Sequence, residues 1–155
     1  MKQGQKQRQQ WLLAGLVLAG GLLILVGVWA RGSNSAAVAI DVEDPQLVAT
    51  GEDVYNTYCA ACHGFDLEGE ANWQQPNADG SFRAPPHDET GHTWHHNDSY
   101  LIESIRLGGV RLEPNIGVSA MPAYEGVLSD AQIAAVLAYI KSSWPSEILE
   151  AQSTR

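Results

Sequence analysis

The sequence contains two cysteines, and a histidine directly follows the second of them. Residues 59–63 read Cys-Ala-Ala-Cys-His. Two thiols at this spacing can form thioethers with the two vinyl groups of one porphyrin, and His63 is then held beside the ring, where it can coordinate iron. This spacing is the attachment pattern of c-type haem. We therefore predict one covalent haem c on Cys59 and Cys62, with His63 as an iron ligand.

A Cys-x-x-Cys pair by itself also occurs in disulfides, zinc sites and thioredoxin-like redox pairs. A redox pair is expected near a βαβ pattern, which this sequence lacks. A zinc site needs two further ligands, which the other histidines could supply. The adjacent His63 and the helical pattern that precedes Cys59 favour haem over these alternatives.

A haem iron bound by His63 on one face has a second axial position on the other face. Met121 is the only methionine besides Met1, and it lies in a loop just before Pro122. Ligation by Met and His is common in electron-transfer cytochromes and raises the reduction potential. We predict Met121 as the distal ligand, although it could instead be a core side chain. With both positions filled the iron has no open site, which predicts an electron carrier and not an enzyme.

Helices and long loops must position these residues. Apolar residues at spacings of three and four predict a first helix over 46–58, with Asp44 as its cap and Pro45 in its first turn. Asp98 is predicted to cap a second helix that ends at Gly108.

A third helix is the clearest in the sequence. Ser129 and Gln132 match a capping box, and apolar residues then recur at helical spacing over 129–143. Residues 64–97 are rich in Gly, Pro, Asn, Asp and His and read as long loops, which are tolerable in a small domain if they wrap a cofactor. No segment has the pattern of a strand, so the fold is predicted to be all-α.

Over residues 45–146 the chain resembles membrane-anchored mono-haem c-type cytochromes of class I. The resemblance rests on the motif 59–64, on Gly51 and Tyr55 in the first helix, on Met121-Pro122 and on Tyr139 in the third helix. It implies a cytochrome c-like fold in which the first and last helices cross near the haem, with Gly51 against Tyr139.

The resemblance also implies that a proline carbonyl accepts the ring N–H of the iron-binding histidine. Such a bond fixes the tautomer of the ligand and raises its basicity. The candidates are Pro85 and Pro86, and the sequence does not choose between them.

Other residues are expected around the haem. A guanidinium pairs well with a carboxylate, so at least one of Arg83, Arg106 and Arg111 is expected to meet the haem propionates, although all three could be ordinary surface residues. Trp94 is expected to pack near the haem.

Residues 70–97 depart from the simplest pattern of this family because they add four histidines, at positions 87, 92, 95 and 96. One of them could replace Met121 on the iron, several could bind a metal such as copper, or they could tune the haem with pH. The interpretation favoured here is that His87, His92, His95 and His96 are polar loop residues that form hydrogen bonds within the loop or with a propionate.

The N-terminal part predicts a membrane anchor. Residues 11–30 carry no charge and are long enough for a helix of about 30 Å, the thickness of a bilayer core. Lys2, Lys6 and Arg8 precede this stretch, so residues 1–10 are predicted to be a cytoplasmic stub and the rest to lie on the periplasmic side. A cleaved signal peptide ending near Ala39 is the alternative. Residues 31–44 are expected to form a linker, 45–146 the haem domain and 147–155 a C-terminal tail.

Charge is distributed unevenly along the chain. All eighteen acidic residues lie from Asp41 onward, whereas only five basic residues do. Such an acidic segment argues against nucleic acid as a partner. It suits a redox protein with a basic docking face, although solubility alone could also explain it. The chain could be a free tethered carrier, a fixed haem subunit of a respiratory or photosynthetic complex, or, less favoured, a haem enzyme or sensor with an open distal site.

Overall fold

The computed structural model describes residues 39–112 and 116–155. The predicted stub and anchor, and all but the end of the predicted linker, lie outside these residues. Within them no helix is long and apolar enough to cross a bilayer. The described residues form no strand, only two isolated β-bridges, and they fold into five α-helices: α1 Pro45–Tyr58, α2 Ala60–His63, α3 Asp98–Leu107, α4 Asp130–Ser142 and α5 Ser146–Ser153.

The predicted caps of α1 and α4 are confirmed. Asp44 accepts hydrogen bonds from the backbone N–H groups of Gln46 and Leu47, at 2.9 and 3.3 Å. Ser129 and Gln132 form the reciprocal capping box at the start of α4. These bonds satisfy N–H groups that have no partner within the helix.

The cap of α3 differs from the prediction, which placed Asp98 in that role. Asn97 is the N-cap, and its Oδ1 accepts the backbone N–H of Tyr100 at 2.9 Å. Asp98 is instead the first residue of the helix and accepts Lys141 Nζ at 2.8 Å. A carboxylate is also favourable in a first turn, so the sequence pattern fits either register.

The helices α1 and α4 cross through a glycine, as the family resemblance implies. A Cβ on Gly51 would overlap the backbone carbonyl of Ala135 and would lie 2.8 Å from Tyr139 Cβ. Only glycine permits this approach, which brings the rings of Tyr55 and Tyr139 within 5.3 Å of each other. The two helices therefore share a core at the end of α1 that leads into the cysteine motif.

Most of the predicted C-terminal tail, residues 147–155, lies in α5, whose Ile148 and Leu149 pack against the core. The buried amide of Gln152 donates hydrogen bonds to the carbonyl of His96 at 3.1 Å and to Asp98 Oδ1 at 2.7 Å. The last helix therefore fastens the loop that precedes α3.

Candidate haem site

The cysteine motif lies at the junction of two helices. Cys59 ends α1 and precedes α2, which contains Cys62 and His63. Because residues three apart in a helix share one face, this turn presents both sulfur atoms on the same side. Cys59 is partly buried, and Cys62 is exposed.

The thiol chemistry of Cys59 disfavours the redox-pair alternative. Both cysteines are free thiols, and burial raises the pKa of Cys59 to about 11, with a smaller contribution from Cys62. Redox-active Cys-x-x-Cys motifs lower the pKa of the attacking thiol. A buried thiol of raised pKa is a poor nucleophile, which argues against a redox pair at this position.

His63 is oriented by the chain that follows the motif. Its Nδ1 lies 2.8 Å from the carbonyl oxygen of Pro85, and the ring is buried. Because a carbonyl only accepts hydrogen bonds, Nδ1 carries the proton and Nε2 keeps a free lone pair. Burial lowers the pKa of His63, and the bond to Pro85 partly opposes that effect. The ring is thus held neutral, in the tautomer that a metal ligand needs.

Pro86, the other predicted proline, has a different contact. Its carbonyl lies 3.4 Å from the Thr93 hydroxyl, in the interior of the loop. Of the two prolines, the structure places only Pro85 against His63.

His87 stacks on His63. The ring centroids are 4.1 Å apart, and the planes are 23° from parallel. A distal ligand would have to lie across the iron from His63, so a ring stacked on the face of His63 would be on the wrong side for that role. This geometry removes His87 from the distal ligands considered in the sequence analysis. Burial lowers the pKa of His87 well below its ordinary value, and the proximity of His63 lowers it further.

Hydrogen bonds to backbone carbonyls fold the loop after the motif back onto it. The Tyr55 hydroxyl donates to the carbonyl of Gly64 at 2.9 Å, and the N–H of Gly69 donates to the carbonyl of His63 at 2.7 Å. Gly64 has φ +82°, a value that L side chains rarely adopt. These contacts close the turn that brings Pro85 to His63.

The Met121 loop is fastened near the motif as well. The N–H of Gly109 donates to the carbonyl of Met121 at 2.8 Å, at the end of α3. The Tyr124 hydroxyl donates to the carbonyl of Tyr58 at 2.6 Å, one residue before Cys59. Met121 is partly buried. The predicted distal ligand therefore lies in a loop that is tied to the residue before Cys59 and to the turn that follows α3.

The three predicted arginines differ in their partners. Arg106 pairs with Asp130 at 2.6 Å, and Arg111 pairs with Glu103 at 2.9 Å. Arg83 donates through a terminal nitrogen to the carbonyl of Ala71, but its Nε is buried and has no partner among the described residues. Arg83 is thus the one of the three with an unused buried donor.

Trp94 also has a buried donor that no acceptor in the described part of the chain satisfies. Its ring packs against the core, and its Nε1 is buried without a hydrogen-bond partner among the described residues. Unpartnered buried donors are rare in native proteins and call for an acceptor. Arg83 Nε and Trp94 Nε1 are donors of the kind that haem propionates would satisfy, so the residues present fit the group.

Apolar surface beside the Met121 loop also fits a porphyrin. Phe82 and Val118 are exposed, and the N–H of Phe82 donates to the carbonyl of Val118 at 2.8 Å. Val110 is also exposed and follows Gly109, which contacts Met121. Exposed side chains of this type, close to a candidate ligand, provide a face that a large apolar group would cover.

The remaining three histidines lie in or beside the 3₁₀ turn Thr93–His95. His92 stacks with Trp73, and its ring centroid lies 5.5 Å from that of His96. His96 in turn stacks on Tyr100. In the described part of the chain, no three His, Cys, Asp or Glu side chains are grouped to hold a metal ion. The structure therefore gives no support to the zinc and copper alternatives.

Sequence reasoning missed the residues that hold the loops. The stacking of His87 on His63, the bond from Tyr124 to Tyr58 and the bond from Gln152 to the loop all join distant parts of the chain. Only His87 carried a signal, since it directly follows the proline pair.

The sequence model of the family described as cytochrome c oxidase, cbb3-type, subunit III matches residues 46–140, more than half of the chain. The cytochrome bc1 complex cytochrome c subunit of Mycobacterium tuberculosis (strain ATCC 25618 / H37Rv) is 25% identical over 133 residues, which cover 81% of this chain and 41% of the relative. The protein of the same description from Corynebacterium efficiens is 30% identical over 59 residues, covering 34% of this chain and 20% of the relative. The chain thus spans less than half the length of these relatives. No solved structure shows a significant match to it.

Proposed function

This chain belongs to the family described as cytochrome c oxidase, cbb3-type, subunit III, and we propose that it transfers single electrons through one haem c bound covalently at Cys59 and Cys62. When bound, the haem supplies an iron that alternates between ferrous and ferric states. The observation that carries the proposal is His63: it follows the second cysteine, is buried, and has Nδ1 occupied by Pro85 at 2.8 Å. Its Nε2 is left free for iron.

Met121 is the proposed distal ligand. Support comes from its place in a loop that Tyr124 attaches to the residue before Cys59, while Gly109 attaches the same loop to the end of α3. A thioether ligand opposite His63 fills the second axial position and raises the potential. A six-coordinate iron has no position for substrate, so the domain is proposed to be a carrier.

Arg83 and Trp94 are the proposed propionate partners. Both have a buried N–H donor without an acceptor among the described residues, whereas Arg106 and Arg111 already have carboxylate partners. A charge-assisted bond to a propionate would satisfy each donor.

The chain is further proposed to be a single-pass membrane protein, with residues 11–30 as its anchor and the haem domain on the periplasmic side. Support comes from the uncharged stretch and the basic residues that precede it. Its redox partners are proposed to have a basic docking face, since the segment from Asp41 onward is strongly acidic.

A fixed place in a larger respiratory complex is the second candidate. The relatives are described as subunits of the cytochrome bc1 complex, which favours stable association with other subunits. Co-purification after mild detergent extraction distinguishes the two candidates. A complex subunit retains its partners through size-exclusion chromatography, and a free carrier elutes alone.

Substitution of Met121 tests the ligand assignment. The Met121→Ala variant is expected to keep its covalent haem but to lose the near-infrared methionine–iron band of the oxidised protein, with a lower midpoint potential. Met121→His is the matched control, because it restores a strong ligand without restoring the band. An unchanged band in Met121→Ala would show that Met121 is not on the iron.

The pyridine haemochrome spectrum of the wild-type protein measures the number of haem groups per chain, and a value of about one is expected from a single motif.

A further inference from the structure

We propose that His87 is a positioning residue that sets the plane of the His63 ring. The inference rests on the proposed function, in which His63 coordinates the haem iron. The rings of His63 and His87 are in face contact, with centroids 4.1 Å apart and planes 23° from parallel. No other aromatic ring in the described residues stacks on His63 in this way.

His87 is itself held firmly at its backbone. Its N–H donates to the carbonyl of Leu67 at 2.8 Å, and its carbonyl accepts Trp144 Nε1 at 2.7 Å. Leu67 and Trp144 are both buried. The backbone of His87 is thereby tied to the loop after the motif and to the segment that follows α4.

The side chain of His87 is held as well. Its Nδ1 lies 2.8 Å from the Thr93 hydroxyl, which is buried and can donate its own proton to the carbonyl of Pro86 at 3.4 Å. The Thr93 hydroxyl can donate to Nδ1 of one His87 tautomer or accept from Nδ1–H of the other, and in both cases this short bond holds the ring edge in place. The edge of the Tyr55 ring lies against His87, with centroids 6.2 Å apart. The His87 ring is therefore held in one orientation.

A hydrogen bond and a stacked ring constrain His63 differently. The Pro85 carbonyl fixes where Nδ1 points, but hydrogen bonds to carbonyl oxygens tolerate a broad range of angles. A flat ring packed on one face opposes rotation of the imidazole about the axis through that bond. Together the two contacts leave the ligand plane a single setting, as outer-shell partners commonly do for metal-bound histidines.

The test uses the full-length, haem-loaded, oxidised protein in detergent. The paramagnetically shifted haem methyl resonances in proton NMR depend on the orientation of the axial imidazole plane. His87→Leu removes the flat ring and is expected to change the spread and order of these resonances and to shift the midpoint potential. His87→Phe keeps a flat ring and is expected to restore the wild-type order. Resonances of His87→Leu that superimpose on wild type would overturn the inference.

Thr93→Val is the second variant, in case His87→Leu fails to load haem. It preserves side-chain volume but removes the hydroxyl that orients His87, and a smaller change in the same direction is expected. If the haem methyl resonances of Thr93→Val superimpose on those of wild type, His87 does not set the ligand plane. A wild-type protein without a histidine-ligated, low-spin iron would overturn the proposed function itself. A normal wild-type spectrum with unresponsive variants would overturn only the role of His87.

Discussion

At the scale of single residues, the informative atoms are donors that lack an acceptor. A buried indole N–H without a partner costs about 1–3 kcal/mol, so such a donor in a native protein calls for an acceptor. Trp94 Nε1 and Arg83 Nε are two such donors. That both donors are buried without an acceptor in the part of the chain that the structure describes supports the proposal that both form hydrogen bonds with the haem propionates.

The sign of the stability change caused by Trp94→Phe tests that proposal. If Trp94 Nε1 donates to a propionate in the haem-loaded protein, Trp94→Phe removes a charge-assisted bond and lowers the free energy of unfolding by about 1.5–3 kcal/mol. If the N–H has no partner, its removal is neutral or stabilising. Urea unfolding of the haem-loaded protein measures the difference. Trp73→Phe is the control, because Trp73 stacks on His92 and has no unpartnered buried donor.

Residue identities in the site were predictable only where spacing determines chemistry. Residues 59–63 predict haem attachment from five consecutive letters. The choice between Pro85 and Pro86 was not available, because it depends on how residues 64–69 turn back onto His63. The stacking of His87 was hidden for the same reason, since a loop without periodicity gives no information on which side chains meet.

At the scale of elements, the helices with local signals were predictable, and the helix fixed by tertiary contacts was not. The caps Asp44 and Ser129 lie next to the helices they start, so the sequence pattern identifies both. The last helix, α5, has a short apolar pair, Ile148 and Leu149, and no side-chain cap. Its position depends on the buried Gln152 amide, which bonds to His96 and Asp98 more than fifty residues away in sequence.

At the crossing of α1 and α4, a change of Gly51 to alanine has two opposite effects on stability: it improves helix propensity, and it disturbs the packing between the helices. In an exposed helix Gly→Ala gains about 1 kcal/mol. At Gly51 the new Cβ would overlap the Ala135 carbonyl, a backbone group that cannot move by itself. Overpacking of this kind costs about 1–3 kcal/mol, and contact with backbone favours the upper part of that range. Gly51→Ala is therefore expected to lower the free energy of unfolding in urea.

The exposed Ala49, two residues earlier in the same helix, supplies the control. Ala49→Gly is expected to destabilise the protein by about 1 kcal/mol through propensity alone. Both changes would then be destabilising although they are chemically opposite. A Gly51→Ala protein more stable than wild type would show that α1 and α4 separate freely at this point.

At the scale of the whole molecule, the cluster formed by His92, His95 and His96 links the free energy of unfolding to pH. Burial lowers the pKa of His92 and of His96, and neighbouring histidines lower both further. On His96 the positive charges of Arg111 and Arg155 act in the same direction. In the unfolded chain these rings regain the ordinary pKa of about 6.5, so the unfolded state binds more protons just below that pH.

The free energy of unfolding is therefore expected to fall as pH decreases from about 7.5 to about 5.5, before most carboxylates titrate. Urea midpoints of the oxidised, haem-loaded protein across this range measure the slope. His96→Gln removes one of the titrating groups and is expected to make the slope shallower. A slope that is equally steep in His96→Gln would assign the acid sensitivity to groups outside the cluster.

The charge of the whole molecule bears on its partners. From Asp41 onward the basic residues are few and the acidic residues many, so the surface of the haem domain is expected to attract cations. Such attraction raises association rates by roughly tenfold or more at low salt, and salt removes it because the screening length falls from about 30 Å at 0.01 M to about 8 Å at 0.15 M.

Two small oxidants of opposite charge test this on one protein. Oxidation of the reduced full-length protein by a cationic cobalt(III) chelate is expected to slow as ionic strength rises, because screening weakens an attraction. Oxidation by ferricyanide is expected to accelerate, because screening weakens a repulsion. Stopped-flow measurement of both rates on one preparation separates charge from changes in the haem, which would move the two rates together. If the rate with the cationic oxidant does not depend on salt, the acidic residues lie away from the surface where the oxidant receives the electron, and a basic docking partner would have no electrostatic basis.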